Sequence, residues 1–170
     1  MAKKVILAVA GAGKTYHICH KIDPTKKNLV LAYTHENIYN IQKELCDAYG
    51  CVPELTKVMT FDAFVYHNLI LPYEPSIANH FSASHFTSRG ICLTDPPTQR
   101  IKNEQGEMVY NPLYRKKDTL AHYVTKKHQY YCATLSELAL QVKEGQDSLI
   151  KRAAIRLNMF YDSVLIDEFQ

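Results

Sequence analysis

The chain has 170 residues, of which 46% are hydrophobic and 22% are charged, and its formal net charge is +3. These proportions are typical of one globular domain, and they exclude a collagen, a coiled coil and an extensively disordered chain. The longest strongly apolar run, residues 5–10, is far shorter than the roughly 20 residues that cross a bilayer, and no cleavage site follows it. The sequence therefore predicts a cytoplasmic protein without a membrane span.

Short apolar runs alternate with segments of helical periodicity along most of the chain. Strands are predicted at residues 4–10, 28–33, 57–60 and in the first part of 162–170. Helices are predicted at residues 16–22, 36–49, 61–71, 117–131, 134–144 and 147–160. Thr34 and Gly50 are typical caps for the second of these helices, and Thr134 with Glu137 matches a capping box. Continuous apolar strands separated by helices favour a parallel α/β sheet.

Residues 72–131 differ from their surroundings. Five of the seven prolines lie within residues 72–112, and the stretch at 103–106 is typical of a hairpin turn. Residues 98–130 carry seven Lys and Arg against three acidic residues, so this stretch has a formal charge of +4. The tyrosines interleaved with these charges are Tyr110, Tyr114, Tyr123, Tyr130 and Tyr131. The pattern fits a nucleic-acid surface, and it equally fits a solvated helix with tyrosines in the core.

Five cysteines, an odd number without a C-x-x-C pair, indicate reduced thiols in a cytosolic protein. They are Cys19, Cys46, Cys51, Cys92 and Cys132.

A glycine-rich turn stands between the first predicted strand and the first predicted helix. Residues 8–15 read AVAGAGKT, which places backbone N–H groups and a helix N-terminus where they can surround phosphate oxygens. Lys14 is expected to reach the β- and γ-phosphates, and the Thr15 hydroxyl to bind Mg²⁺. The predicted nucleotide-binding residues are Ala10, Gly11, Ala12, Gly13, Lys14, Thr15 and Tyr16.

Two acidic residues follow the last predicted strand. In open α/β sheets, ligands bind outside the carboxyl ends of the strands, so Asp167 and Glu168 are expected near Lys14. Asp167 is predicted to hold Mg²⁺, and Glu168 to orient and deprotonate the attacking water.

Together, AVAGAGKT at 8–15 and DEFQ at 167–170 resemble the first ATPase motifs of superfamily 1 DNA helicases of the UvrD/Rep kind. The resemblance implies a RecA-like P-loop NTPase domain that uses ATP and Mg²⁺. It also implies that Lys14, Glu168 and Gln170 are catalytic, with Gln170 sensing the γ-phosphate. Two departures accompany it: only a few residues precede the first strand, where the family has an adenine-reading glutamine motif, and Asp62 stands where the family commonly has His.

Two intervening segments extend the resemblance to DNA binding. LAYTHEN at 31–37 resembles motif Ia, and VMTFDAF at 58–64 resembles the TF-H-S-F segment of the same helicases. The residues that these segments imply as contacts with single-stranded DNA are Tyr33, Thr34, His35, Thr60 and Phe61. Tyr33 is the best candidate for base stacking, although an aromatic residue at a strand end can equally belong to the core.

The resemblance implies a domain division. Residues 1–71 and 132–170 form the RecA-like ATPase domain, and residues 72–131 form an inserted, mostly helical subdomain that is basic and contains tyrosines. Because the chain ends at DEFQ, we expect a fragment that lacks the second RecA-like domain and hydrolyses ATP weakly by itself. The intact protein is expected to be an ATP-dependent helicase or translocase on single-stranded DNA.

Two other functions use the same phosphate loop. A small P-loop kinase, similar to a thymidine kinase, also pairs a phosphate loop with an Asp-Glu strand end. A non-catalytic module that binds a nucleotide or single-stranded DNA is the other alternative.

Overall fold

The computed structural model describes residues 13–84, 86–144 and 147–167. The strand predicted at 4–10 therefore lies outside the described residues. The described chain divides into two compact units, one of Met1–Phe64 with Ala154–Gln170 and one of Val65–Ala153. None of the described helices is long and apolar enough to cross a bilayer.

The first unit contains a parallel sheet flanked by helices. Its elements are α1 (Lys14–Lys21), β1 (Asn28–Ala32), α2 (His35–Tyr49), β2 (Thr56–Thr60), α3 (Phe61–Phe64) and β9 (Ser163–Ile166). The described sheet has the order β2-β1-β9, with Val30 opposite both Val58 and Leu165. All five residues of β1 are buried, as the prediction of a continuous apolar central strand requires. The predicted α/β class with a parallel sheet is confirmed, and its architecture is compatible with a P-loop fold.

Helices α1 and α2 cover one face of this sheet. Val30 and Ala32 from β1 form a buried cluster with residues of the two helices: Cys19, Ile22, Ile41 and Leu45. Because side chains alternate along a strand, Leu29 and Leu31 point to the opposite face, where they are also buried.

A buried amide fixes the amino ends of the three strands. Asn28 donates from its side chain to the carbonyls of Asp23 and Lys26, both at 2.8 Å. Its side-chain oxygen accepts from Ser163 of β9 at 2.6 Å, and its amide reaches Thr56 of β2 at 3.3 Å. These bonds pair the polar atoms of a side chain that is almost fully buried, so they favour one register of the sheet.

Helix α2 forms as its caps predict. The Thr34 side chain accepts a hydrogen bond from the backbone of Asn37 at 3.1 Å. Gly50 ends the helix with φ +80°, a conformation that glycine adopts without the steric cost of a Cβ atom.

The second unit contains short elements. They are a π-helix (Val65–Ile70), 3-10 helices (Leu71–Tyr73, Leu120–His122 and Cys132–Thr134), α4 (Glu74–His80), β3 (Ile91–Cys92), β4 (Arg100–Lys102), β5 (Met108–Tyr110), β6 (Tyr130–Tyr131), α5 (Leu135–Gln141), β7 (Lys143–Glu144) and β8 (Asp147–Ser148). Helix α6 (Leu149–Phe160) contributes residues to both units. Strands β3 and β6 pair in parallel, while β4–β5 and β7–β8 are antiparallel hairpins. The hairpin predicted around 103–106 is the β4–β5 hairpin.

Several predictions for this region are wrong. Residues 72–131 are not mostly helical, because loops and short strands dominate the described part. The helix predicted at 117–131 is a 3-10 turn followed by a hairpin. In contrast, residues 61–71 are helical as predicted, with α, π and 3-10 geometry in succession. The capping box is absent, since Thr134 donates to the carbonyl of Tyr131 and Glu137 pairs with Lys117 at 2.6 Å.

Candidate nucleotide and nucleic-acid site

The parallel register brings three strand ends to one edge of the sheet. Strand β1 ends at Ala32, β2 at Thr60 and β9 at Ile166, with Ala32 opposite Thr60 and Leu31 opposite Ile166. Six of the ten described residues that the sequence predicts as functional lie at or directly after these ends. They are Tyr33, Thr34, His35, Phe61 and Asp167, with Thr60 as the last residue of β2.

Thr15 and Asp167 are in direct contact. The Thr15 hydroxyl in the first turn of α1 donates to Oδ2 of Asp167 at 3.0 Å. Asp167 is positioned by its own backbone N–H, which donates to the carbonyl of Leu31 at 2.8 Å and extends the β1–β9 ladder by one residue. The two residues predicted to bind Mg²⁺ are therefore neighbours.

The second carboxylate oxygen of Asp167 is buried without a partner. Asp167 is 3% exposed, and its Oδ1 has no hydrogen-bond partner in the described part of the chain. Burying an unpaired charged oxygen is costly, so this atom favours a cation or an ordered water beside it. A carboxylate and a hydroxyl are hard oxygen ligands of the kind that Mg²⁺ prefers.

The number of protein ligands also suits magnesium. Among residues 13–84, 86–144 and 147–167, no group of three or more His, Cys, Asp or Glu side chains is placed to hold a metal. Mg²⁺ commonly takes one or two protein ligands and completes its shell with water and substrate phosphates. Thr15 and Asp167 offer oxygen ligands, so they fit Mg²⁺ better than zinc, which is bound mainly by nitrogen and sulfur ligands.

The start of α1 is open to an anion. Gly13 precedes the helix with φ +72°, a conformation that favours glycine, and it supplies no side-chain cap. The first turn of α1 contains no acidic residue of its own, and the N–H groups and positive dipole end of a first helical turn favour an anion. Lys14, the first residue of the helix, is half-buried. Ala10, Gly11 and Ala12 lie outside the described residues, as do the predicted catalytic residues Glu168 and Gln170.

Tyr16, the third residue of α1, is largely exposed. Its ring stacks on the ring of His20, with 3.7 Å between centroids and 23° between planes. His20 in turn contacts Tyr16 through its Nδ1 atom, 2.9 Å from the Tyr16 carbonyl, and lies 3.7 Å from Glu44.

Cys19, one turn beyond Thr15, was predicted from the sequence only as one of five reduced thiols. Its thiol is buried and donates to the carbonyl of Ile41 at 3.7 Å. Burial raises the pKa of this thiol to about 11, with further contributions from the negative charges of Glu44 and Asp167.

Two aromatic residues from neighbouring strand ends form a pair. The rings of Tyr33 and Phe61 stack with 5.4 Å between centroids and 21° between planes. Tyr33 is 41% exposed and Phe61 is half-buried, so the pair belongs to the surface at the strand ends and not to the core. The sequence predicts each residue as a contact with DNA, and the structure places them together.

The two threonines at these strand ends have structural partners. Thr34 accepts from the backbone of Asn37, and Thr60 accepts from the backbone of Ala63, each at 3.1 Å. Each hydroxyl therefore caps the start of a helix, α2 for Thr34 and α3 for Thr60. The sequence predicted such a cap only for Thr34. His35, the first residue of α2, is exposed.

The tyrosines of the basic stretch have different environments. Tyr123 and Tyr130 are fully buried, and burial raises the pKa of both phenols, that of Tyr123 to about 12. Tyr110 in β5 is 63% exposed. The interpretation as core residues therefore holds for Tyr123 and Tyr130, while Tyr110 lies on the surface.

Comparison with known proteins identifies no relative of this chain. No protein-family model, curated protein or solved structure matches it.

Proposed function

We propose that the chain is the ATP-binding part of a motor that moves along single-stranded DNA. The observation that carries the proposal is the contact between Thr15 and Asp167, which leaves a buried carboxylate oxygen without a partner among the described residues, beside the start of α1. The partners proposed for this site are ATP, Mg²⁺ and one DNA strand. A second RecA-like domain outside residues 1–170 is proposed to complete it.

The residues around α1 have distinct proposed roles. The free N–H groups of the first helical turn and the Lys14 ammonium hold the phosphates of ATP. Thr15 and Asp167 would hold Mg²⁺, which would neutralise the negative charge that develops on the phosphates. Glu168 is proposed to take a proton from the attacking water, and Gln170 to sense the γ-phosphate.

The strand ends are the proposed route from ATP to DNA. Asp167 is hydrogen-bonded to the end of β1, and β1 continues directly into Tyr33. The exposed ring of Tyr33, backed by Phe61, offers an aromatic face on which a DNA base can stack. A change at the γ-phosphate that moves the end of β9 would therefore act on a strand that carries a base contact.

Binding of ATP tests the first half of the proposal. We expect a fluorescent ATP analogue with Mg²⁺ to bind the full chain, and the variant Lys14→Ala to weaken binding about 10- to 150-fold, because a charge-assisted hydrogen bond contributes about 1.5–3 kcal/mol. Lys21→Ala is the matched control, since Lys21 is an exposed lysine in the last turn of the same helix. Equal affinities for the wild type, Lys14→Ala and Lys21→Ala would contradict the assignment of Lys14.

Binding of DNA separates the proposal from its alternatives. Anisotropy of a labelled single strand is measured with and without ATP and Mg²⁺, beside duplex DNA and unlabelled nucleosides. A motor is expected to prefer the single strand and to change its affinity when ATP binds. A nucleoside kinase is expected to bind nucleosides and no strand, and a passive module to bind a strand without response to ATP.

A further inference from the structure

A tight turn in the Val65–Ala153 unit carries a group of basic side chains. Val124 and Tyr130 form an antiparallel bridge, and the backbone N–H of Thr125 donates to the carbonyl of Gln129 at 2.8 Å. The Thr125 hydroxyl accepts from the backbone N–H groups of Lys127 and Gln129, both at 3.2 Å. These bonds close the turn over residues 125–129. The consecutive basic residues exposed on it are Lys126, Lys127 and His128.

Arg89 adds a fourth basic residue to this turn. Its backbone N–H donates to the carbonyl of His128 at 2.7 Å. A small cavity of about 110 Å³ is lined by four residues, all of them basic: Arg89, Lys126, Lys127 and His128. The ion pairs of the described chain involve none of these four residues. Because basic groups converge here without a counter-charge, the cavity favours an anion the size of a phosphate.

A larger cavity adjoins the small one. Its volume is about 640 Å³, and it shares Lys126 and His128 with the small cavity. Its walls are mainly apolar and include the rings of Phe86 and Tyr131, and no carboxylate lines it. The volume lies within the range of roughly 300–1,000 Å³ that is typical of small-molecule sites.

Two of the lining residues are held in place by contacts within this unit. The Phe86 ring lies 5.5 Å from the rings of both His128 and Tyr130, at 44° and 76°. The Arg115 guanidinium donates from Nη1 to the carbonyls of Pro112 and Tyr114, at 2.9 and 2.8 Å. An aromatic wall and a cationic group are therefore both preorganised at the larger cavity.

We propose that these adjoining cavities bind one nucleotide of a single nucleic-acid strand, with the base in the larger cavity and a phosphate in the smaller one. A nucleotide combines a flat aromatic body with an anion one sugar away, and the two cavities present aromatic and apolar walls beside a cationic recess. Bases stack on aromatic side chains whatever their sequence, and basic groups follow the phosphates. The choice of a nucleic-acid strand over a free nucleotide rests on the proposed function. The cavities would add a contact with that strand in the Val65–Ala153 unit, apart from the contacts proposed at the strand ends.

The experiment uses the full chain and three probes: a labelled oligothymidine of about 12 nucleotides, free thymidine monophosphate, and the same oligonucleotide carrying one photoreactive 4-thiothymidine. The test variants are the double variant Lys126→Ala with Lys127→Ala, and Phe86→Leu, which keeps an apolar side chain. The control is the double variant Lys102→Ala with Lys116→Ala, which removes two exposed lysines that line neither cavity. Circular dichroism checks that each variant is folded.

The double test variant is expected to bind the oligonucleotide at least about fivefold more weakly and to lower the slope of log K against log salt by about 1 per lost phosphate contact. Phe86→Leu is expected to weaken binding with an unchanged salt slope, because it removes stacking and no charge. The photoreactive base is expected to form an adduct with Phe86 or Tyr131, mapped by mass spectrometry, and to lose it in the double test variant.

Three results would separate this inference from the proposed function. Unchanged oligonucleotide affinity in both test variants, with adducts only at Tyr33 or Phe61, would overturn the cavity site and leave the motor intact. If the test variants lost affinity for thymidine monophosphate and kept their affinity for the oligonucleotide, the cavities would be assigned to a free nucleotide and the strand site would be overturned. Adducts at the cavity in a protein that binds no ATP would support the strand site and refute the motor.

Discussion

The hydroxyl of Thr15 donates a 3.0 Å hydrogen bond to the carboxylate of Asp167, across 152 residues of chain. The contact joins the first turn of α1 to the end of β9, and it leaves Oδ1 of Asp167 buried without a partner among the described residues. A carboxylate in this position costs stability when it is unpaired, and the cost is offset when a cation binds. The pair of Thr15 and Asp167 is therefore suited to binding a cation, and a contribution to stability alone does not account for it.

The variant Asp167→Asn is expected to separate binding from stability. In EDTA its free energy of unfolding should stay within about 1 kcal/mol of the wild type or increase, because a neutral amide replaces a buried charge and can still accept from Thr15. With Mg²⁺ its affinity for ATP should fall at least about tenfold. Chemical denaturation and titration with a fluorescent ATP analogue measure the two quantities.

Asp47→Asn is the matched control, since Asp47 is exposed on α2. A loss of several kcal/mol in EDTA for Asp167→Asn would instead assign Asp167 a structural role.

The stacked pair of Tyr33 and Phe61 predicts a loss of DNA affinity on truncation. Tyr33→Ala is expected to weaken single-strand binding about 5- to 150-fold, because stacking of a base contributes about 1–3 kcal/mol. Tyr39→Ala, which removes a more exposed tyrosine from α2, is expected to leave the affinity unchanged. Anisotropy of a labelled oligonucleotide measures both, and equal losses in the two variants would show that the effect is not local to the strand ends.

Thr34 has a structural role that can be tested apart from DNA. Thr34→Ala should lower the free energy of unfolding by about 1 kcal/mol, because the backbone N–H of Asn37 loses its acceptor. Thr34→Asp should keep the cap and the stability while it weakens DNA binding, since it adds a negative charge next to Tyr33. Thermal denaturation and anisotropy distinguish these effects. Unchanged DNA affinity in folded Thr34→Asp would remove Thr34 from the proposed DNA surface.

The raised pKa of Cys19 predicts slow reaction with thiol reagents. Cys46 and Cys51 are exposed, so maleimide is expected to label them first, whereas Cys19 is buried and keeps its proton up to a pH of about 11. Mass spectrometry of timed samples at pH 8 gives the order of labelling. Labelling of Cys19 at the rate of Cys46 in folded protein would contradict the packing of α1.

The same pKa gives a sign for the dependence of stability on pH. The folded state holds the Cys19 proton more tightly than the unfolded state, in which the pKa is near 9.0. The stabilising contribution is therefore complete below pH 9 and decreases as the pH rises towards 11. The free energy of unfolding, measured by denaturation at pH 8, 9, 10 and 11, is expected to decrease less with pH in Cys19→Ala than in the wild type.

Elements with strong local signals were predicted from the sequence. Helix α2 begins after Thr34 and ends before Gly50. The Thr34 side chain accepts a hydrogen bond from a helical N–H, and Gly50 adopts a positive φ; both properties depend on the residue type. The β4–β5 hairpin likewise forms around its turn, where Asn103 accepts from the backbone of Gln105 and Glu107. Such bonds span a few residues, so tertiary context has little influence on them.

Residues 117–131 show where local pattern fails. The spacing of their apolar residues is compatible with a helix, yet Tyr123 and Tyr130 are both buried and the chain reverses between them. The hydrogen bonds of Thr125 that close this turn compete with helix formation. Likewise, Glu137 matches a capping box in sequence but pairs with Lys117, a partner 20 residues away.

The sequence by itself determined the order of helices and strands over residues 14–60 and placed Asp167 at the end of a strand, because these features depend on residue type and short spacing. Only the tertiary structure decided which of these residues meet. Parallel pairing of β1 with β2 and β9 places Tyr33 on Phe61 and aligns Asp167 with the end of β1. The contact of Asp167 with Thr15 and the bond that brings Arg89 to His128 also join residues far apart in the sequence. Register and crossover connections set these distances, and both depend on burial of apolar surface over the whole unit, which no local pattern specifies.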